Sequence, residues 1–131
     1  MENIAKIKAL AKSRIQEFID IKDPWYKWHS TFIKWIQDEF DEIKQEVKEN
    51  NTVYLEDELW DLFWDFMCLL NSLEHEWMIS SQEKVFERSY KKFSERISEV
   101  RKKGKKHNEM WDVVKKKQKL GRKKEHEEKH G

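Results

Sequence analysis

The stretch from Leu55 to Leu73, LEDELWDLFWDFMCLLNSL, constrains the fold more than any other part of the chain. It is long enough for a helix and contains no Gly or Pro, and its apolar residues cover nearly the whole helical circumference. Such a helix is typical of a protein interior. Three acids nevertheless share one stripe at i, i+3 and i+7: Glu58, Asp61 and Asp65. Because a buried carboxylate is costly unless it is paired or binds a metal, we expect this helix to present acids to a positive group.

A second acidic stripe with the same spacing precedes the first. Glu39, Glu42 and Glu46 lie at the margin of the apolar side of their own predicted helix, since residues three and four apart share a helix face. If the two helices pack together, like charges about 4 Å apart repel by about 4 kcal/mol at an effective dielectric near 20. A hard divalent cation neutralises such an oxygen-only cluster. Mg²⁺ fits best, with Mn²⁺ as a substitute.

Composition indicates one all-α domain, a bundle of four to five helices. Of the 131 residues, 40% are charged, and three Gly and one Pro leave few turn formers. We predict a domain over residues 1–118. A single cysteine, Cys68, excludes an intramolecular disulfide and favours a reducing compartment. The helices that carry the acids and the following basic stripe are predicted over residues 24–49, 55–77 and 81–103.

Turn signals set the predicted ends of these helices. Asp23 is expected to cap a helix that has Pro24 at its first position. Gly104 is expected to end the helix predicted over residues 81–103. A short helix follows over residues 108–117. Residues 119–131 are polar and basic, and we predict that they form a disordered tail.

Two further groups of residues have both a structural and a functional interpretation. Trp28 and Trp35 lie on nearly the same face as the acids of their helix, so they either pack in the core or contact a nucleotide base. Lys92 and Arg96 form a basic stripe on the next helix. They are either a solvated flank or a pair of cations that hold phosphate oxygens.

Several classes of protein are excluded or disfavoured. The longest uncharged run, residues 66–73, is far shorter than the ~20 residues that cross a bilayer, so a cytoplasmic protein with no membrane partner is expected. The chain has no glycine-rich phosphate loop, no Cys-x-x-Cys pair and no placed Ser or Cys nucleophile.

The acidic motifs resemble those of the MazG-like all-α nucleoside triphosphate pyrophosphohydrolases. That superfamily carries Glu-x-x-Glu, a spacer and then Glu-x-x-Asp. Here Glu39 and Glu42 are followed, after fifteen residues, by Glu58 and Asp61. Three further segments match the family in the right order: Asp23-Pro24-Trp25, Lys92-Phe93 with Arg96, and Trp111 with Lys115.

The resemblance implies hydrolysis of a nucleoside triphosphate to a nucleoside monophosphate and pyrophosphate. Glu39, Glu42, Glu58 and Asp61 would bind Mg²⁺, with Asp65 as a further ligand or supporting residue, and one of them, Glu42 for preference, would take the proton of the attacking water. The cations Lys92 and Arg96 would hold the β and γ phosphates. Family members form homodimers or homotetramers, so an oligomer is expected as well.

Two alternatives remain open from the sequence. One is a non-catalytic helical adaptor whose basic end, with 13 Lys and Arg against five acids in residues 101–131, engages nucleic acid or an acidic partner. We rank nucleic acid as an unlikely partner, because a solubilising tail explains the same charge. The other is a nucleotide-binding relative that has lost activity, which the presence of all four motif acids disfavours.

Overall fold

The computed structural model describes residues 2–103 and 107–131, and these residues contain helices and no strand. The helices are α1 (Glu2–Ile21), α2 (His29–Glu46), α3 (Thr52–His75), α4 (Gln82–Lys103) and α5 (His107–His130). The predicted all-α fold is confirmed. The described part divides into two compact units, Met1–Gln82 and Glu83–Gly131. The prediction of a single domain over residues 1–118 stays a prediction.

The first unit is an antiparallel hairpin of α2 and α3, with α1 packed on α3. On α1, Ala11, Ile15 and Phe18 are buried at the i, i+4, i+7 spacing of one helix face. These three side chains face the core of the unit. Helix α2 contributes Phe32 to this core, and the second half of α3 contributes Met67, Cys68 and Leu70. The core therefore lies at the end of the hairpin away from the α2–α3 loop.

The apolar circumference of α3 is only partly buried, contrary to the interior position that its sequence predicts. Leu59 and Trp60 are about half exposed, and Phe66 is also exposed. The reason is geometric, because within the first unit α1 and α2 pack against two sides of the helix. Leu59 and Trp60 line a surface hollow of about 330 Å³ together with Ile4 of α1.

The predicted start of α2 at Pro24 is wrong. Asp23 accepts a hydrogen bond from the backbone N of Trp25 at 2.9 Å, and its carbonyl accepts one from the backbone N of Tyr26 at 3.1 Å. These bonds fold the Asp-Pro segment into a tight turn, which is the local bonding that Asp favours outside helices. The helix then begins at His29, after Trp28 has taken φ 57°.

The other predicted bounds differ by a few residues, for a reason visible in the loop. The side-chain amide of Asn51 donates to the backbone O of Glu46 at 2.8 Å and to its carboxylate at 2.6 Å. This contact ends α2 at Glu46 and lets α3 begin at Thr52, so the loop covers residues 47–51, three residues earlier than the sequence predicts. Glu46, the third acid of its stripe, is thereby used as a loop contact.

In the second unit α4 and α5 run antiparallel and are joined through long polar side chains. Gln118 of α5 accepts a hydrogen bond from Nε of Arg96 at 2.8 Å and donates to the carbonyl of Lys92 at 2.9 Å. Nearer the C-terminus, the Arg88 guanidinium donates two hydrogen bonds to the carboxylate of Glu125, at 2.7 and 3.0 Å. The residues between these contacts are consequently held in register.

The disordered tail predicted for residues 119–131 is contradicted, because α5 continues to His130. Near its end, Glu125 ties this helix to Arg88 of α4. The predicted helix break at Gly104 lies outside the described residues. Among the helices that are described, none has the length and hydrophobicity needed to cross a bilayer.

Candidate active site

The α2–α3 hairpin brings acids from the two sequence stripes together. The contact of Glu46 with Asn51 lies at its loop end, and the contact of His29 with Glu76 lies at its open end. An antiparallel pair held at both ends places the middle of α2 opposite the first half of α3. As a result, carboxylate oxygens of Glu39, Glu58 and Asp61 lie within 4.8 Å of one another.

Glu42 stands at the exposed edge of this cluster. Its side chain is solvent-exposed, yet it is close enough to influence the other carboxyl groups. Together with burial, it contributes to raising the pKa values of Glu39, Glu58 and Asp61. The four acids of the sequence motifs therefore form one electrostatic group. Glu39, Glu58 and Asp61 share a small volume, and Glu42 lies beside them, exposed to solvent as Asp61 is.

Asp65 lies one helical turn further along α3, on the inner side of the cluster. It is 3% exposed, and its Oδ2 has no hydrogen-bond partner among the described residues. The pKa of Asp65 is raised to about 6, chiefly by burial and also by the charges of Asp61 and Glu42. A buried carboxylate in this state is costly unless a positive group neutralises it.

Glu39 carries the strongest perturbation of the cluster. Its pKa is raised to about 8, chiefly by burial and also by the neighbouring carboxyl groups of Glu58 and Glu42. One oxygen each of Glu39 and Glu58 is buried without a partner in the described part of the chain. These orphaned oxygens lie where several negative charges meet, so the local potential favours a cation.

The donor set fits a hard divalent cation. All of the candidate ligands are carboxylate oxygens, which Mg²⁺ and Mn²⁺ prefer, and they come from two rigid helices. Two oxygens on opposite sides of one Mg²⁺ lie about 4.2 Å apart, twice the usual bond length of about 2.1 Å. The 4.8 Å spread within the Glu39, Glu58 and Asp61 group is close to that value, so small side-chain rotations suffice.

Aromatic side chains surround the start of α2, and one of them lies next to the acids. Trp35 is one turn before Glu39, is 38% exposed, and meets Trp25 with ring centroids 4.8 Å apart. Trp28 is 42% exposed and packs beside Tyr26 at the beginning of the helix. Eleven residues separate Trp28 from Glu39, about 16 Å along a helix axis, so Trp35 is the better placed of the two.

Trp25 is a member of this surface that the site prediction from sequence omitted. Its ring is 42% exposed and lies between Phe18, at 5.2 Å, and Trp35. The signal in the sequence was Asp23-Pro24-Trp25, a segment that matched the family motif without a site role being assigned to Trp25. The turn that replaces the expected helix start directs this ring toward α2.

Lys92 and Arg96 belong to the second unit, where both have partners of their own. Arg96 is 6% exposed, and its guanidinium lies 5.3 Å from the ring centroids of Phe93 and Trp111. The Lys92 ammonium lies 5.0 Å from the Phe93 ring. These contacts hold both cations on α4. Their phosphate-binding role stays a prediction from the resemblance.

A comparison with protein-family models matches residues 27–101, more than half of the chain, to the MazG nucleotide pyrophosphohydrolase domain. No curated protein and no solved structure matches the chain. The matched segment includes α2, α3 and nearly all of α4, and thus all four acids of the cluster.

Proposed function

The chain belongs to the MazG nucleotide pyrophosphohydrolase family, and from this we propose that it hydrolyses a nucleoside triphosphate between the α and β phosphates. The products would be a nucleoside monophosphate and pyrophosphate, and the reaction would depend on Mg²⁺. One observation carries the proposal: buried carboxylate oxygens lack hydrogen-bond partners in the described part of the chain. Two of them, on Glu39 and Glu58, lie within the carboxylate cluster, and the third is on Asp65, one helical turn further along α3.

Glu39, Glu58 and Asp61 would hold the cation, with Glu42 closing the site on the solvent side. A bound Mg²⁺, or Mn²⁺ in its place, would neutralise triphosphate charge and acidify a water molecule at the site. Asp65 is buried behind the cluster and would orient the ligands from inside. The rigid hairpin supplies the positioning on which phosphoryl-transfer chemistry depends.

We assign the proton-accepting role to Glu42. Glu42 is solvent-exposed, as Asp61 is, but it lies outside the group of Glu39, Glu58 and Asp61 whose oxygens converge. A water molecule can therefore reach Glu42 while the other three carboxylates serve as ligands. A carboxylate within hydrogen-bond reach of the attacking water can take its proton as the water oxygen bonds to phosphorus. Pyrophosphate then leaves with the electron pair of the cleaved P–O bond.

For the base of the substrate we propose contact with Trp35. The ring is partly exposed, lies one turn from Glu39, and is buttressed edge-on by Trp25. Stacking on an aromatic ring tolerates any base and contributes about 1–3 kcal/mol. Trp35→Ala should therefore raise KM about tenfold or more for every triphosphate, while a Trp28→Ala control changes it little.

The decisive experiment measures pyrophosphate release from a panel of standard and modified nucleoside triphosphates. Wild type is compared with Glu42→Gln and Asp61→Asn, with and without Mg²⁺, and with Asp38→Asn as an exposed acid on the same hairpin. We expect both site variants to lose turnover without loss of thermal stability, because each removes a repelling charge. Near-normal rates in either variant, or no turnover by folded wild type of any triphosphate, would contradict the assignment.

We also propose that the chain acts as a homodimer or homotetramer in the cytoplasm. Support for assembly comes from the exposed apolar side chains of Leu59 and Trp60 on α3 and of Ile4 on α1, because clusters of this kind are typical of contact surfaces. Light scattering on wild type and Trp60→Glu tests the assembly. A monomer at all concentrations would contradict it.

A further inference from the structure

The surface of α5 carries the strongest run of uncompensated charge in the described part of the chain. Seven of the ten residues from 115 to 124 are basic, and no acid lies among them: Lys115, Lys116, Lys117, Lys119, Arg122, Lys123 and Lys124. All seven are solvent-exposed. No hydrogen bond or ion pair engages any of these side chains within the described residues.

The way α5 is attached to α4 leaves this charge facing outward. Val114 is buried, Gln118 bonds to Arg96 and to the carbonyl of Lys92, and Glu125 bonds to Arg88. These residues follow one face at i, i+4 and i+11, so they turn the opposite face to solvent. Lys116, Lys119 and Lys123 form the outermost row on that face, at i, i+3 and i+7.

We propose that the basic face of α5 binds the phosphate backbone of double-stranded DNA without sequence preference. Ten helical residues span about 15 Å, so this part of the helix, counted around its exposed circumference, carries about one positive charge for every 2 Å. Duplex DNA carries one negative charge for about every 1.7 Å of its axis, a closely matched density. An α-helix of about 10–12 Å diameter also fits the major groove, which is about 12 Å wide.

Other anionic partners fit this face less well. A membrane-surface helix needs an apolar side for the lipid, but Val114 of α5 is buried within the unit. An acidic protein partner needs apolar or aromatic anchors at the centre of its interface, and Leu120 is the sole apolar side chain within residues 115–124. Single strands are bound through stacking on aromatic rings, and these ten residues contain none. A-form RNA has a major groove too narrow for side-chain access.

This inference is independent of the proposed hydrolysis, and it revises the sequence-based prediction that nucleic acid is not a partner. A disordered tail presents its charges in many different arrangements. The observed helix fixes seven cations on one element, which makes a defined electrostatic surface.

The test uses fluorescence anisotropy of a labelled mixed-sequence DNA duplex with the full chain in EDTA, so that cation-dependent phosphate binding at the acids does not contribute. If four to five phosphates are contacted, log Kobs should fall with log salt at a slope of about −4, and affinity should fall about 250-fold between about 50 and 200 mM NaCl. Lys116→Gln/Lys119→Gln/Lys123→Gln should lose at least tenfold in affinity and about 2.7 units of slope.

A matched control triple, Lys12→Gln/Lys22→Gln/Lys34→Gln, changes the net charge equally at exposed positions of the first unit and should bind like wild type. Replacing the three α5 lysines by Arg should retain binding, and circular dichroism checks that all variants stay helical. The proposal is overturned if wild type does not bind the duplex at about 50 mM NaCl, or if the α5 triple binds like the control. It is also overturned if polyglutamate, a double-stranded RNA or a single strand binds more tightly than the DNA duplex.

Discussion

Glu76 at the end of α3 accepts two hydrogen bonds from His29 at the start of α2, one from the backbone N at 3.1 Å and one from Nδ1 at 2.7 Å. The carboxylate thus caps a helix whose own preceding residue, Trp28, offers no capping side chain. A negative charge at a helix N-terminus is also favoured by the helix dipole. Since the same contact joins residues 47 positions apart, it fixes the register in which the acids of α2 and α3 meet.

Replacing Glu76 should therefore weaken both the fold and the cation site. We expect Glu76→Ala to lower the free energy of unfolding by about 1–2 kcal/mol, the usual cost of losing a helix cap together with a partly buried hydrogen bond. Urea denaturation measures this. Mg²⁺ affinity, followed by calorimetry, should fall about tenfold, whereas Glu49→Ala on the exposed loop should change neither quantity. Unchanged stability in Glu76→Ala would mean that His29 and Glu76 do not set the register.

The contact between Tyr26, which precedes α2, and Ser72 of α3 can be tested with a double-mutant cycle. The hydroxyl groups of Tyr26 and Ser72 share a 2.7 Å hydrogen bond in the core. Tyr26→Phe leaves the Ser72 hydroxyl buried without a partner and should cost about 1–2 kcal/mol, while Tyr26→Phe/Ser72→Ala should recover part of that loss because both polar atoms are gone. Equilibrium unfolding of the two single variants and the double variant gives the coupling energy. Simple additivity would contradict a direct bond.

The sequence was sufficient for the fold class and for the convergence of the two acidic stripes. Both follow from periodicity, because Glu39 and Glu42 on one helix and Glu58 and Asp61 on the next lie beside apolar faces that have to pack together. The orphaned state of the Asp65 carboxylate could not be predicted in this way, since it depends on how α1 and α2 cover α3.

Three sequence predictions failed because tertiary contacts decided them. Asp23 was expected to cap a helix, but it closes a turn with Trp25, and the cap of α2 comes from Glu76 far along the chain. The last residues were expected to be disordered on composition alone. Composition cannot predict that one residue far along the chain, Arg88, pairs with Glu125 and holds this segment against α4. The prediction that α3 lies in the protein interior assumed that other helices pack against every side of it, but Leu59, Trp60 and Phe66 are exposed.

The helical end of α5 depends on the pairing of Arg88 with Glu125, and this can be tested locally. Both side chains are about half exposed and screened by solvent, so the pair adds little to global stability. Its effect should be concentrated in the last turns. We expect Glu125→Gln to increase amide hydrogen exchange about fivefold in residues 119–130 and to leave α2 and α3 unchanged. Glu127→Gln is the matched control, and equal exchange in the two variants would refute the anchoring role.

Without metal, the protein should lose stability as the pH rises. Folded Asp65 and Glu39 have pKa values of about 6 and about 8, above their ordinary values of 3.8 and 4.5. For each group, at pH values between its ordinary pKa and its folded pKa, the folded state binds more protons than the unfolded state. The free energy of unfolding therefore falls with increasing pH across this range. The stabilisation is complete below about pH 4 and is lost for Asp65 as the pH passes about 6, and for Glu39 as it passes about 8.

Asp65→Asn removes one of these two titrations and should raise the stability of the metal-free protein at about pH 8 by about 2 kcal/mol. Thermal unfolding in EDTA at pH values from about 5 to 8.5 measures the effect, with Asp41→Asn on the exposed side of α2 as the control. Adding Mg²⁺ should restore the stability of wild type at about pH 8, because a bound cation removes the repulsion that burial intensifies. Asp61→Asn should lose most of that Mg²⁺ response. A wild type whose stability rises between pH 5 and 8 in EDTA would contradict the buried, repelling carboxylate cluster.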